Sequence, residues 1–124
     1  PLDFVINLQG DSPFTPPKLI RALIEAIDPS VEMITPALCL SWDALDVLRK
    51  HKEKSPSSGT TVVVDKTGHA LWFSKQILPY IRNSEGTCPV LKHVGIYGYS
   101  LPFLKRFISW PEGTYERIEG LEQL

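Results

Sequence analysis

Apolar residues come in short runs along this chain, and the period of each run predicts an element. Phe4, Val5 and Ile6, followed by Leu8, make a nearly unbroken apolar stretch, the pattern of a strand in a sheet covered on both faces. It leads into Gln9-Gly10-Asp11-Ser12-Pro13, a loop of turn formers. Thr15 then predicts an N-cap with Pro16 at the first helical position. Leu19, Ile20, Leu23, Ile24 and Ile27 form one helical stripe, which Asp28-Pro29 closes. Strand, polar loop and helix in this order open an α/β unit.

Residues 31–40 predict a short second strand. Ser41 predicts the cap of a helix reaching Lys50, with Trp42, Leu45 and Leu48 facing inward. His51 to Gly59 is charged and then rich in Ser, Pro and Gly, an exposed connection. Thr60 to Val64 and His69 to Ser74 flank Asp65-Lys66-Thr67-Gly68 and predict a β-hairpin. Pro79 interrupts the next apolar run, and the polar stretch to Pro89 reads as loop. Val90 to Tyr99 predicts one more strand, whose period of two puts Leu91, His93, Gly95, Tyr97 and Tyr99 on one face. Ser100 predicts the cap of a helix carrying Leu101, Leu104, Phe107 and Ile108; Pro111 and Gly113 break it, and Thr114 starts a last helix over the remaining residues.

The connection after His51 divides the chain into a partial α/β core, residues 1–58, and a strand-rich part, residues 59–124. The second part is expected to be mainly antiparallel, because the Asp65–Gly68 turn is too short for a crossover. A core strand at the very start and a helical pattern running to the last residue without a Gly, Asn or Pro stop predict a piece of a larger domain.

Composition narrows the function. Of 124 residues, 43% are hydrophobic and 22% charged, with a net charge of −1. That balance offers no large positive field for gripping nucleic acid, and no apolar run approaches a bilayer span. No leader pattern is visible, so export is not expected. Cys39 and Cys88 lack metal-like spacing and read as two semi-buried thiols of a reduced, cytoplasmic protein.

Four segments carry candidate chemistry. Gln9-Gly10-Asp11 follows the first strand, where open α/β sheets bind ligands. Gly10 would let a phosphate or base come close to the backbone, and Asp11 offers a carboxylate to a Mg²⁺ ion shared with a nucleotide; a tight turn capped by Asp11 is the plainer alternative. His93, Tyr97 and Tyr99 present hydrogen-bonding tips suited to sugar hydroxyls and a carboxylate, or else pack as core or dimer aromatics. Lys75, just past the aromatic strand Ala70 to Ser74, could neutralise an anion as a point charge. Glu119, Glu122 and Gln123 share the final predicted helix, whose wet face explains them equally well. No Gly-x-Ser-x-Gly elbow, Walker loop or Rossmann glycine fingerprint occurs.

The order of these segments is more specific than any one of them. Val5-Ile6-Asn7-Leu8-Gln9-Gly10-Asp11-Ser12-Pro13 resembles the segment vNvQGDeP. Gly68 to Pro79 resembles GxALYFSRxxIP, His93 to Tyr99 resembles HxGiYgY, and Leu121-Glu122-Gln123-Leu124 matches LEQL. All four stand in the order found in the 3-deoxy-manno-octulosonate (Kdo) cytidylyltransferases, which the chain resembles over almost its whole length, least from Leu40 to Ser58.

The resemblance implies a GT-A-like, Rossmann-related nucleotidyltransferase fold with a strand-rich dimerisation part. It implies a homodimeric cytoplasmic enzyme of lipopolysaccharide biosynthesis that joins CTP and Kdo into CMP-Kdo and pyrophosphate with Mg²⁺. By motif, Asp11 would be the catalytic Mg²⁺ ligand, and Gln9 and Gly10 would lie near nucleotide and sugar. His93, Tyr97, Glu122 and Gln123 would line the sugar pocket, and Lys75 would take the place of an arginine contacting the sugar acid. Lys75 and Thr61 depart from the family pattern, which has arginine and lysine there, and suggest a divergent branch with a modified octulosonate as substrate; an activating enzyme for another acidic sugar, of the sialic-acid type, is a separate reading. The Arg-rich triphosphate cradle PARxxSxRxPGK and the acidic segment VDTPEDL are not in these 124 residues, so this chain alone is expected to be inactive. The alternative is a non-catalytic dimerisation or sugar-binding module derived from the family.

Overall fold

The apolar run at the start does form a strand, β1 (Phe4–Asn7), in the computed structural model, which describes residues 3–124. It is an edge strand and only half-buried, not one covered on both faces. Its partner is β7 (Tyr97–Ser100), which also pairs with β2 (Met33–Ile34), so the order β1-β7-β2 is antiparallel throughout. Gly98 occupies the middle of this sheet. A Cβ there would lie 2.6 Å from Phe4 Cε1 and 2.9 Å from Ile34 Cγ1, so the flanking strands close over a position where only hydrogen fits.

Helix α3 (Leu101–Phe107) follows β7 directly, and the Ser100 hydroxyl accepts from the Phe103 N–H as expected of its cap. Tyr99 stacks on Phe103 and Phe107 at ring separations of 6.3 and 5.9 Å, which seats the helix on the strand. Helix α1 (Pro17–Glu25) starts later than predicted. Thr15 spends its hydroxyl on the Ser12 carbonyl, 2.8 Å away, and Pro16 becomes the N-cap without a side-chain hydrogen bond. The residues up to Pro36 and Val94–Pro111 form one compact unit.

The second unit comprises Ala37–His93 and Glu112–Leu124. These boundaries differ from a division at residue 58, because strand pairing returns residues 94–111 to the N-terminal segment. The predicted strand over residues 31–40 is broken by Pro36, and its second half, β3 (Ala37–Cys39), belongs to this unit's sheet. The hairpin is as predicted: β4 (Thr61–Val64) pairs with β5 (Ala70–Ser74). Asp65 ties its turn, accepting from the Thr67 N–H at 2.8 Å and the His69 N–H at 2.9 Å, while Gly68 takes φ +88°. With β6 (Leu91–His93) the antiparallel order is β3-β6-β4-β5.

Helix α2 (Trp42–Lys54) has the Ser41 cap, whose hydroxyl accepts from the Ala44 N–H, and runs one turn further than expected. It buries Leu45 against Cys88 and Val90. A second cluster joins Val62, Phe73 and Leu121. Leu121 comes from beyond α4 (Thr114–Glu119), which ends before the last residue because Gly120 adopts the left-handed conformation at φ +66°. Cys39, expected half-buried, is exposed; Cys88 is buried. Among the described residues no helix is long and apolar enough to cross a membrane.

Candidate functional site

The single strand predicted over Val90 to Tyr99 is two strands in two sheets. The Ile96 N–H turns back to the Val94 carbonyl at 2.7 Å, and the Val94 N–H donates to the Pro36 carbonyl. His93 therefore ends β6 of the four-stranded sheet, whereas Tyr97 and Tyr99 lie on β7 of the three-stranded one. The shared face predicted for these side chains is not formed by one strand.

In the first unit, the Asn7↔Tyr97 pairing places the loop after β1 and the start of β7 at the same end of the sheet. The loop closes through the Ser12 N–H and the Gln9 carbonyl at 3.1 Å. Gln9 turns its amide oxygen over Gly95, 3.8 Å from where a Cβ would stand. Gly10 has ordinary φ, and a methyl there would meet no protein atom within 4 Å, so nothing in the protein itself demands glycine. Asp11 is exposed, with Ser12 Oγ 3.5 Å from its Oδ1. Tyr97 is half-buried and stacks on Tyr99, ring centroids 6.0 Å apart. This end of the sheet thus gathers Gln9, Gly10, Asp11 and Tyr97.

Among the described residues no group of three His, Cys, Asp or Glu side chains could hold a metal. One exposed carboxylate still fits Mg²⁺, which is commonly held by one or two carboxylates together with substrate phosphates and water.

In the second unit His93 is buried, its N–H donating to the Thr60 carbonyl at 2.9 Å and its ring edge-on to Phe73 at 5.1 Å. Burial pushes its pKa down to about 4, and the nearby charge of Lys75 acts in the same direction. The imidazole is therefore neutral near pH 7, able to donate from one nitrogen and accept at the other. Lys75 follows β5 directly. Its N–H donates to Glu119 Oε2 at 2.9 Å, and the Ser74 hydroxyl donates to Oε1 at 2.8 Å.

Glu122 and Gln123 do not lie on a helix with Glu119. The left-handed Gly120 stops α4, and the two residues occupy a turn closed by the Leu124 N–H on the Leu121 carbonyl. Glu122 is exposed and Gln123 half-buried. The second unit thus brings Lys75 and His93 within electrostatic reach of each other and anchors Lys75 to the helix that leads to Glu122 and Gln123.

Two more residues belong to this corner, Lys52, which sequence reasoning passed over, and Thr61, which it marked only as a departure from the family pattern. Lys52, placed in a supposed exposed connection, is on α2 and donates from Nζ to the carbonyls of Ser58, Gly59 and Lys75. Thr61 is fully buried; its hydroxyl donates to the Gln76 carbonyl at 2.7 Å and accepts from the Leu78 N–H at 3.1 Å, bracing the segment after Lys75. A lysine within Lys50-His51-Lys52-Glu53-Lys54 carries no sequence mark separating it from its neighbours. The replacement of a family lysine by Thr61 was the one available signal. Lys52 feels the charges of Lys75, Lys92 and Glu119, two cations against one carboxylate, so the surroundings of its ammonium are net positive.

A sequence model described as cytidylyltransferase matches residues 1–124. The chain is 39% identical over 124 residues to a 3-deoxy-manno-octulosonate cytidylyltransferase of Maricaulis maris (strain MCS10), covering 98% of this chain and 48% of that one. It is 36% identical over 125 residues to the protein of the same description from Legionella pneumophila (strain Corby), covering 100% and 47%. Among solved structures it is similar to a CMP:2-keto-3-deoxy-manno-octonic acid synthetase complexed with CTP, with a TM-score of 0.79 and 36% identity over 98% of this chain and 47% of that chain. The chain spans about half the length of the curated relatives it matches. With the family pattern matched from the first residue to the last and a mixed α/β fold to go with it, the chain belongs to the cytidylyltransferase family.

Proposed function

We propose that this chain supplies the nucleotide-facing loop and the sugar-acid corner of an enzyme that joins CTP and Kdo, or a closely related octulosonate, into CMP-sugar and pyrophosphate. The observation that carries the reading is the positive corner of the second unit. The Lys52 ammonium feels the charges of Lys75 and Lys92 against one carboxylate, Glu119, which is already engaged by the Ser74 hydroxyl and the Lys75 N–H. An anionic ligand is what that corner lacks, and a sugar acid brings a carboxylate together with hydroxyls that neutral His93 can both donate to and accept from.

In this reading Lys75 binds the sugar carboxylate, and His93, Glu122 and Gln123 of the same unit orient the sugar. Gln9 and Gly10 lie along the nucleotide. Asp11 would hold Mg²⁺, which when bound draws charge from the triphosphate. The sugar's anomeric hydroxyl attacks the α-phosphorus and gives up its proton to solvent; an O–P bond forms, the bond between the α-phosphorus and the bridging oxygen breaks, and pyrophosphate leaves with its electron pair. Homodimerisation and a cytoplasmic site of action are parts of the same proposal.

The test uses the whole gene product that contains this chain, with CTP, Mg²⁺ and Kdo. Pyrophosphate release together with CMP-Kdo formation is expected, and Lys75→Met should raise KM for Kdo far more than KM for CTP. Turnover with a sialic-acid-type sugar and none with Kdo would overturn the substrate assignment. The isolated 124 residues, which have no arginine-rich loop, are expected to show no turnover.

A further inference from the structure

Lys75 stands one residue beyond the last ladder pair of β5, Thr61↔Ser74. Its backbone is nonetheless held at both polar groups, and each time by a side chain from another element. On one side, Glu119 of α4 accepts its N–H at 2.9 Å and is itself fixed by the Ser74 hydroxyl. On the other, the Lys52 ammonium of α2 donates to its carbonyl and to those of Ser58 and Gly59, the last at 2.8 Å. The same ammonium also reaches the Pro56 carbonyl at 3.3 Å, so its three donors are shared among four backbone carbonyls. Among the described residues no carboxylate forms an ion pair with Lys52, so its charge is spent on backbone carbonyls.

A lysine side chain has a flexible four-carbon stem, and its reach is defined only as well as the backbone from which it starts. We propose that Lys52 and Glu119 are positioning residues that clamp the backbone of Lys75 from opposite sides and so aim its ammonium at the carboxylate of the sugar acid, an inference that rests on the function proposed above. Preorganisation of this kind raises affinity by removing freedom that binding would otherwise have to freeze.

Two readouts test it. In the whole gene product, Lys52→Met and Glu119→Gln should each raise KM for Kdo about tenfold, the effect of losing one charge-assisted hydrogen bond. KM for CTP should hold, and Lys54→Met at the exposed helix end is the control. Amide exchange at Lys75, followed by NMR, should accelerate in both variants. In a Lys75→Met background neither substitution should raise KM for Kdo further, since each acts through Lys75. Additive effects in that background, or unchanged exchange at Lys75, overturn the clamp. A silent Lys75→Met in an active enzyme overturns the sugar-acid corner itself. Glu119→Gln keeps the side-chain shape and carries both readouts alone if Lys52→Met does not fold.

Discussion

Replacing Gly98 with alanine puts a methyl group between two strands that leave no room for one. The new Cβ would stand 2.6 Å from Phe4 Cε1 and 2.9 Å from Ile34 Cγ1. Those separations fall short of the carbon–carbon optimum by about 1 Å and 0.7 Å. Phe4 is half-buried on an edge strand and its ring can swing aside. Ile34 is stiffer, because it branches at Cβ and holds its Cγ1 close to the backbone of β2. The relief must therefore come from β2 moving away from β7. Overpacking of this kind costs roughly 1–3 kcal/mol, and relief of glycine's entropic disadvantage returns about 0.5–1 kcal/mol. The net expectation is a loss of about 1–2 kcal/mol.

Urea denaturation, followed by near-ultraviolet circular dichroism of the Tyr97–Tyr99–Phe103–Phe107 stack in the same unit, reads the effect. With a slope of about 2 kcal/mol per molar urea, the midpoint should fall by roughly 0.5–1 M. Ile34→Ala alone should also destabilise, but combined with Gly98→Ala it should cost less than the sum of the two, by on the order of 1 kcal/mol. The sign is decisive. Where alanine fits, a glycine-to-alanine change stabilises, so a variant as stable as the parent, or strict additivity with Ile34→Ala, would refute the steric reading of this strand.

Gly10→Ala is the counterpart. A methyl there meets nothing within 4 Å and the backbone is unstrained, so stability should hold or rise by about 0.4–1 kcal/mol. KM for CTP in the whole gene product should increase if the nucleotide approaches this backbone, and an unchanged KM would remove Gly10 from the site. His93 has a folded pKa lowered to about 4 from 6.5, first by burial and then by Lys75. The neutral form is the one the fold favours, so its contribution is complete above pH 6.5, falls as pH drops, and is gone below about 4. NMR titration of the His93 ring should show a midpoint near 4, shifted upward in Lys75→Met; a midpoint near 6.5 would contradict the burial described.

Much of the fold was legible because local chemistry and tertiary structure agree. Ser41 and Ser100 cap the helices they were expected to cap. The Asp65–Gly68 turn closes the hairpin it was expected to close. The reading failed where periodicity continued across a break. Leu91, His93, Gly95, Tyr97 and Tyr99 alternate without a flaw, yet the chain folds back at residues 94–96 and resumes in another sheet. Gly95 and Pro36 were the only punctuation, and each was read as part of a strand. Gly120 was likewise visible as a helix terminator and overlooked within a longer apolar period, which moved Glu122 and Gln123 off α4.

The candidate site divides along the same line. Asp11, Lys75 and His93, the residues proposed to face ligands, belong to segments whose order was recognisable. Lys52 touches only backbone carbonyls, and Glu119 a backbone N–H and the Ser74 hydroxyl, groups that carry no mark of their own in the sequence. Their role depends on where α2 and α4 deliver them, three-dimensional information that neither residue type nor spacing encodes. A side chain that recognises a ligand leaves its chemistry in the sequence; one that aims another side chain leaves only its reach.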